Sequence, residues 1–445
     1  MPISPARAAA FEILLRMERE SSFASELLHS QSLRSISAQD HALATELAMG
    51  VLRWRSLLDD EIASASSQRI AKLDLEVLTA LRLALYQLRF LDRIPPRAAL
   101  YESVELVKHS RKKSAASFVN AVLRKLSSAR QKYQPTSETT PESLARSFAH
   151  PLWLVQRWAD EYGLASARQI CEYDQSLPKT AIRLRSTTAE QQLNLAGVKL
   201  APGSILRSAR IVQSGDVTTT AAFRQREIVV QDEGSQLVAM LVGHGSNILD
   251  CCAAPGNKTL AISDRNPEST ITAVELHPHR TRVLKKLLGA RPNERIRIVA
   301  ADARQLPLSR RYDRILTDVP CSGTGTLARH PEIKWRLQPN DLLELRQRQV
   351  AILLSALAQL SLKGRLVYST CSLQKEENEC VVEQVLAESH SDSVRVLDCK
   401  TELEKLKADQ EICWHETPLT RGPYLRTIPG IHPCDGFFAA LLEKS

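Results

Sequence analysis

The chain has 445 residues, enough for about three domains, and its hydrophobic (43%) and charged (24%) fractions exclude a disordered or fibrous protein. The net charge of +9 permits a polyanionic partner without requiring one. The chain has nine scattered cysteines and no Cys-x-x-Cys pair, which predicts free thiols, no metal site and a cytoplasmic protein. It has no run of about 18 apolar residues, so we expect no membrane contact.

The first part of the chain, residues 4–132, shows helical periodicity and little strand character. Ser4 and Pro5 suit the start of a helix. Further helices are predicted at 38–57, 72–91, 97–110 and 115–132. Pro95 and Pro96 separate the second and third of these four. We therefore expect an all-α domain over residues 1–133.

A basic stretch closes this region. Between 108 and 132 lie eight lysines and arginines and no acidic residue: Lys108, Arg111, Lys112, Lys113, Arg124, Lys125, Arg130 and Lys132. Such a run is either a solvated helix face or a surface that contacts phosphates, and the residue types alone leave both open.

A polar, proline-containing segment at 133–142 predicts a linker. Beyond it the pattern becomes mixed, with strand-like alternation at 181–185 and β-branched residues at 228–230, so we expect a small α+β module over 143–224. From 225 to 445 short apolar strands alternate with helices, which predicts an α/β Rossmann-like domain with a doubly wound, mostly parallel sheet. Its strands are expected at 248–249, 271–274, 296–300, 314–317 and 365–368, with an edge strand or strand pair at 436–442.

Ligands of doubly wound folds bind beyond the carboxyl ends of the strands. After the first of these strands, residues 250–259 read Asp-Cys-Cys-Ala-Ala-Pro-Gly-Asn-Lys-Thr, and such small residues let backbone N–H groups approach a ligand. The turn lacks the glycines of a phosphate-binding P-loop, and the chain lacks a Gly-x-Gly-x-x-Gly fingerprint. ATP and dinucleotide cofactors are therefore disfavoured.

Carboxylates and thiols follow the other strands. Glu275 lies about 20 positions after Gly256, an offset that suits the hydroxyls of an adenosine ribose. Asp302 follows the third strand. Asp318 and Cys321 follow the fourth, and Cys371 follows the fifth. A lone cysteine is usually a small buried hydrophobe, but two at neighbouring strand ends beside an aspartate favour chemistry.

Three motifs in this region resemble those of RNA cytosine-C5 methyltransferases. They are Asp-x-Cys-Ala-Ala-Pro-Gly-x-Lys-Thr at 250–259, Asp-Val-Pro-Cys-Ser-Gly-Thr-Gly at 318–325 and Tyr-Ser-Thr-Cys-Ser at 368–372. His-Pro-Glu-Ile-Lys-Trp at 330–335 is similar to the ribosomal branch of that family.

The N-terminal half also resembles a known family. The segments at 86–88, 93–100, 120–124 and 150–154 are similar to the NusB-like RNA-binding domain and its continuation in RsmB (Sun, Fmu) 16S ribosomal RNA methyltransferases. The resemblance covers nearly the whole chain. It implies methylation of C5 of a cytidine in 16S ribosomal RNA, with S-adenosyl-L-methionine as the donor.

The resemblance also implies catalytic roles. Cys371 would be the nucleophile that adds to C6 of the cytosine, and Cys321 the base that removes the C5 proton. Asp318 would bond the Watson–Crick edge near N3, and Lys258 would contact either the donor's carboxylate or Asp318.

The resemblance also implies donor-binding residues in the turn, at three strand ends and at Arg280, and Asp318 belongs to the catalytic set as well. They are Cys252, Ala253, Ala254, Pro255, Gly256, Asn257, Lys258, Glu275, Arg280, Asp302 and Asp318. Glu275 would hold the ribose hydroxyls, Arg280 the ribose or Glu275, and Asp302 the adenine amino group. Asn257 replaces the family's second glycine, and we expect the turn to survive because asparagine tolerates left-handed backbone. Glu275 replaces an aspartate common in the family.

Two alternatives stay open at this point. One is a transfer-RNA cytosine-C5 methyltransferase, which the NusB-like domain disfavours. The other is a non-catalytic NusB-type RNA-binding protein, which the intact Cys321 and Cys371 disfavour. The substrate would be naked RNA or a partly assembled small subunit, and a monomer is the default expectation.

Overall fold

The computed structural model describes residues 3–20, 22–28, 30, 36–66, 68–128, 133, 139–289, 295–309, 311–388 and 394–445. The chain divides into two compact units, Met1–Leu177 with Leu327–Arg336, and Pro178–Thr326 with Leu337–Ser445. The boundaries 1–133, 143–224 and 225–445 stay predictions. Residues 134–138 of the predicted linker, and Arg130 and Lys132 of the basic stretch, lie outside the described residues.

The first unit is helical in the part of the chain that the structure describes. Its helices are α1 (Pro5–Arg19), α2 (Ala24–Leu28), α3 (Ala38–Ala65), α4 (Leu75–Phe90), α5 (Pro96–His109), α6 (Ala116–Ser128), α7 (Pro141–Ser147), α8 (Leu152–Tyr162) and α9 (Leu164–Gln175). The helix α3 begins at the cap residue Ser37, whose hydroxyl accepts from the backbone N–H of Asp40. Proline occupies the first position of α1 and α5, where its missing N–H costs nothing.

The segment Leu327–Arg336, with the short helix α15 (Ile333–Arg336), packs into this first unit although it is distant in sequence. The Trp335 indole donates to the Leu52 carbonyl at 2.6 Å, and the Arg336 guanidinium donates to the carbonyls of Met17 and Ser22. These bonds to backbone carbonyls fix the segment as part of the helical unit.

Lys334 in this segment is a buried amine, 1% exposed. Its Nζ donates to the Arg53 carbonyl at 2.9 Å. Burial lowers the pKa of Lys334 to about 7, against the opposing influence of Asp174 and Cys171. The folded chain therefore releases this proton far more readily than an unfolded chain does.

The second unit contains two sheets. The smaller sheet is antiparallel, in the order β2 (Lys199–Pro202), β3 (Ala209–Ser214), β1 (Thr180–Leu184) and β4 (Ile228–Val230). The helices α10 (Ala189–Leu195) and α11 (Ala221–Arg224) accompany it.

The larger sheet has nine strands in the part of the chain that the structure describes. In chain order they are β5 (Asn247–Asp250), β6 (Thr270–Glu275), β7 (Ile296–Ala300), β8 (Tyr312–Asp318), β9 (Leu360–Thr370), β10 (Val394–Leu397), β11 (Thr420–Arg421), β12 (Tyr424–Thr427) and β13 (Phe437–Lys444). The helices of this part are α12 (Glu233–Leu241), α13 (Asn257–Arg265), α14 (Pro278–Leu288), α16 (Asp341–Gln359), α17 (Glu379–Glu388) and α18 (Cys399–Ala408).

The sheet order is β11-β12-β13-β9-β8-β5-β6-β7, with β10 also paired to β13. The five neighbouring strands β9, β8, β5, β6 and β7 are parallel, which confirms the predicted Rossmann-like core. The prediction of an edge position for the last strand is wrong. The strand β13 lies inside the sheet, antiparallel to β9 on one side and to β12 and β10 on the other.

The parallel strands are buried on both faces, with Leu249, Ile315, Leu366 and Val367 fully enclosed, as expected for strands covered by helices. Because these strands run parallel, their carboxyl ends meet at one edge of the sheet. Among the described residues, no helix is long and apolar enough to cross a membrane.

We predict that Lys334→Met removes a pH dependence of stability. An unfolded lysine has a pKa of about 10.4, so between pH 7 and 10 the unfolded chain binds more protons at this group than the folded chain does. The free energy of unfolding of the wild type therefore rises by up to about 1.4 kcal/mol per pH unit over that window because of Lys334. Urea unfolding at pH 7 and pH 9 gives the free energies of unfolding of Lys334→Met and of the wild type. The difference, Lys334→Met minus the wild type, should decrease by about 2 kcal/mol between pH 7 and pH 9.

The matched control is Lys113→Met, at an exposed position of the same unit. Its stability difference from the wild type should be the same at both pH values. An equally constant difference for Lys334→Met would contradict the buried, readily deprotonated lysine.

Candidate active site

Side chains from the ends of all five parallel strands line one cavity of about 510 Å³, a size typical of small-molecule sites. Asp318 is the last residue of β8 and Glu275 the last of β6. The lining residues are Cys251, Cys252, Ala254, Glu275, Leu276, His277, Arg280, Asp302, Ala303, Arg304, Asp318, Val319, Pro320, Cys321, Arg348, Ile352 and Cys371. The structure thus brings the candidate carboxylates and both candidate thiols to one place.

The two thiols touch. The Sγ atoms of Cys321 and Cys371 lie 3.1 Å apart, and the backbone N–H of Cys371 donates to the Cys321 sulfur at 3.3 Å. The hydrogen bond to Cys371, burial and the nearby charges of Cys371 and Glu377 raise the pKa of the Cys321 thiol well above its usual range. Cys321 is therefore a neutral thiol in this state.

Lys258 and Asp318 form an ion pair beside the thiols, with Nζ 2.7 Å from Oδ2. The other carboxylate oxygen of Asp318 accepts from the Ser369 hydroxyl at 2.8 Å. Burial alone would lower the pKa of Lys258, but Asp318 together with Cys371 and Asp250 outweighs burial and raises this pKa above the ordinary value. Lys258 stays an ammonium group, and of its two expected partners the structure shows Asp318.

Hydrogen bonds fix the turn that connects β5 to α13: one joins Asp250 to Thr259, and one joins Ala253 to β6. The buried Asp250 accepts from the Thr259 hydroxyl at 2.7 Å, and burial raises the pKa of Asp250 to about 7. The backbone N–H of Ala253 donates to the Val274 carbonyl at 2.9 Å. These bonds tie the turn to the neighbouring strand β6.

Gly256 is the left-handed residue of the turn, with a φ of +117°. A Cβ there would also lie 2.8 Å from the Leu284 side chain. Asn257 is instead the first residue of α13, and its amide donates to the Val230 carbonyl. The tolerance of asparagine for left-handed backbone is not used here, because Gly256 takes that conformation and Asn257 stands at a helical position.

The adenosine candidates lie at the next two strand ends. Glu275 is 4% exposed, and its Oε1 accepts from the backbone N–H of His277. The Arg280 guanidinium lies 3.9 Å from Glu275 Oε2 and also donates to the Ala254 carbonyl. Asp302 is bonded by the guanidinium of Arg304, which lowers the pKa of Asp302.

Not every candidate reaches the cavity. Cys252 and Ala254 line it. The remaining turn candidates are not among its lining residues: Ala253, Pro255, Gly256, Asn257 and Lys258.

The sequence reasoning missed a buried polar group behind the thiols, formed by Ser322, Ser372, Gln349 and Glu377. It also missed Arg304 and Arg348, which line the cavity. The serine that follows each candidate cysteine is the one signal that pointed to the buried group.

Known proteins resemble both parts of this chain. A family model described as "16S rRNA methyltransferase RsmB/F" matches residues 238–443, and the NusB family model matches residues 4–128. The crystal structure of PH0851 has a TM-score of 0.81 at 23% identity and covers 100% of both chains. NSun6 from Pyrococcus horikoshii with SFG has a TM-score of 0.57 at 19% identity and covers 66% of this chain and 98% of its own. These two likenesses support the fold.

Similarity of sequence extends over the whole chain. The probable ribosomal RNA small subunit methyltransferase B of Bacillus subtilis (strain 168) is 32% identical over 98% of each chain. The ribosomal RNA small subunit methyltransferase B of Escherichia coli O157:H7 is 32% identical over 92% of each chain. The chain belongs to the RsmB/F methyltransferase family, with an N-terminal NusB family domain, and is an RNA methyltransferase.

Proposed function

We propose that this protein methylates C5 of a cytidine in 16S ribosomal RNA through a covalent adduct between Cys371 and C6 of the base. The observation that carries the proposal is the pair of strand-end sulfurs, 3.1 Å apart on the cavity that the carboxylates line. One sulfur can form the bond to C6 while the other stands beside the same ring. A single thiol would not need such a neighbour.

C5 of cytosine is a poor nucleophile, and adding a thiolate to C6 turns it into an enamine-like carbon. In the proposed sequence the Cys371 Sγ–C6 bond forms first. Bound S-adenosyl-L-methionine would supply the methyl group for C5 and would leave as S-adenosylhomocysteine. The Cys321 sulfur removes the C5 proton, and the electron pair of that C–H bond restores the ring as the Sγ–C6 bond breaks.

The contact between the sulfurs suggests how Cys321 becomes a base at the right stage. The hydrogen bond with Cys371 is the largest cause that raises the pKa of Cys321, and the charge of Cys371 adds to it. Once Cys371 is a thioether bound to C6, it no longer carries that charge. Forming the adduct therefore removes one of the causes that raise the pKa of the Cys321 thiol.

We assign the pair of Asp318 and Lys258 to holding the base. The carboxylate of Asp318 faces the cavity and would accept a hydrogen bond from the N4 amino group of cytosine, next to N3 on the Watson–Crick edge. Lys258 and Ser369 orient that carboxylate by a bond to each of its oxygens. A carboxylate oxygen has lone pairs for a further donor, so these bonds leave Asp318 able to bind the base.

The cavity fits the methyl donor. Glu275 is a buried carboxylate suited to the two ribose hydroxyls, with Arg280 beside it. Asp302 would accept from the adenine amino group once Arg304 shares or leaves it. The turn Cys252 to Lys258 would take the methionine part, with Cys252 and Ala254 on the cavity wall.

The NusB family match and the names of the relatives support 16S ribosomal RNA as the substrate over transfer RNA. Methylation requires the target base to leave any stack, whether in naked RNA or in a partly assembled small subunit. We propose a cytoplasmic monomer for this role. The non-catalytic alternative is set aside, since the chain belongs to a methyltransferase family.

We predict opposite behaviour for the two cysteine variants. Cys321→Ala should accumulate a covalent protein–RNA adduct, because the adduct forms and the C5 proton is not removed. Cys371→Ala should form no adduct and lose methyl transfer by at least about a hundredfold, the range typical of a lost catalytic group. Labelled S-adenosyl-L-methionine with 16S ribosomal RNA, followed by denaturing electrophoresis, measures both.

The matched control is Cys413→Ala, an exposed cysteine that does not line the cavity. It should behave as the wild type does. Methyl transfer by Cys371→Ala would refute the assignment of the nucleophile, and methylation of transfer RNA in preference to 16S ribosomal RNA would refute the proposed substrate.

The basic stretch of the NusB-like domain is partly engaged within the protein. Lys108 pairs with Glu105 at 2.7 Å and Lys112 with Asp74 at 3.0 Å. Arg111, Lys113 and Arg124 are exposed. We propose these three as phosphate contacts.

We predict that reversing Arg111, Lys113 and Arg124 to glutamate weakens RNA binding for all sequences alike and reduces its salt dependence. Each lost phosphate contact should lower the slope of log affinity against log salt by about 0.7 to 0.9. Filter binding at several salt concentrations measures this slope.

The control makes the same charge change at Lys400, Lys405 and Lys407 of α18. An equal loss of slope in both variants would show a general effect of net charge and would count against a phosphate-binding face.

A further inference from the structure

A buried carboxylate lies behind the two thiols and is not used by the mechanism above. Glu377 ends a short 3-10 turn after β9 and is fully enclosed, with 0% exposure. A buried carboxylate is costly unless hydrogen bonds compensate it, so its partners show why it is tolerated.

Glu377 accepts four hydrogen bonds. Its Oε1 accepts from the backbone N–H of Ser322 at 2.8 Å and from the Gln349 amide at 2.9 Å. Its Oε2 accepts from the hydroxyls of Ser322 and Ser372, each at 2.5 Å. Ser322 follows Cys321 and Ser372 follows Cys371, so one carboxylate grips the residue next to each sulfur.

Other bonds close the same frame. Gln349 of α16 also donates to the carbonyl of Pro320, which precedes Cys321. The backbone N–H of Gly325 donates to the Cys371 carbonyl at 2.8 Å. The two turns that carry the sulfurs are therefore tied to each other, with Glu377 bonded to both.

We propose that Glu377 is a positioning residue that holds the Cys321 and Cys371 sulfurs at the separation needed for resolving the RNA adduct. It acts through Ser322 and Ser372 and does not touch the substrate. This inference rests on the proposed covalent mechanism.

A carboxylate suits this position better than its amide. All four partners of Glu377 donate, and a carboxylate has acceptor sites on both oxygens. In Glu377→Gln one of these oxygens becomes an NH2 group, which would face either Gln349 and the Ser322 N–H or the two serine hydroxyls. If it faces the serines, their hydroxyls can turn to accept from it, but a neutral amide binds them more weakly than the carboxylate does. In either orientation the tie to at least one turn is weakened, while the volume of the side chain is kept.

The expected consequence is selective. Adduct formation needs only Cys371, whereas adduct resolution needs both sulfurs at the right distance. Loosening the frame should therefore slow resolution more than formation, and adduct should accumulate although Cys321 is intact.

The test compares Glu377→Gln, the milder Ser372→Ala and the control Glu383→Gln, an exposed glutamate of α17. Each full-length protein is mixed with S-adenosyl-L-methionine and 16S ribosomal RNA, and adduct and methylated product are followed over time. Calorimetry measures the affinity for S-adenosylhomocysteine. We expect the ratio of adduct to product to rise at least tenfold in Glu377→Gln and less in Ser372→Ala. Donor affinity should stay within twofold, and Glu383→Gln should match the wild type.

Cys321→Ala run alongside separates the two proposals. If it traps adduct and neither frame variant changes the ratio, the role of Glu377 is refuted. If Glu377→Gln loses donor affinity, adduct and product in equal proportion, Glu377 is only structural and the inference is again overturned. If Cys321→Ala itself traps no adduct, the covalent mechanism fails first.

Discussion

Parallel pairing between Tyr312–Asp318 and Leu360–Thr370 is the constraint on which the site depends. Its register sets Asp318 opposite Ser369, so the residues that follow both strands must leave the sheet side by side. That exit brings Cys321 against Cys371 at 3.1 Å. The packing of helices on both faces of the strands holds the register, because a one-residue slip would exchange the side chains that pack on the two faces.

The charged groups that we assign to binding the base or positioning the sulfurs each have partners at this edge of the sheet. Lys258 neutralises Asp318, and four donors surround Glu377. Removing one member of such a group leaves its partner uncompensated, which costs more than the net contribution of the intact group. The same bonds that stabilise the edge therefore also orient its reactive atoms.

The sequence predicted the parts of the fold that local patterns encode. Apolar strands alternating with helices indicated the parallel core, and strand-end positions singled out Glu275, Asp318 and the cysteines. Long-range pairing was not readable in this way. The insertion of Phe437–Lys444 between two other strands depends on pairing with a strand about 70 residues earlier. The packing of Leu327–Arg336 with the helical unit depends on contacts across hundreds of residues. Glu377 was missed for the same reason, since its partners come from separate segments.

The most direct test of the central claim uses RNA in which the target cytidine carries fluorine at C5. Fluorine cannot leave as a proton does, so the adduct persists in the wild-type protein after methyl transfer. Tryptic digestion and mass spectrometry then locate the attached nucleotide. The account predicts attachment at Cys371, in the peptide 366–375. Attachment at Cys321, in the peptide 315–329, or no attachment at all, would contradict it.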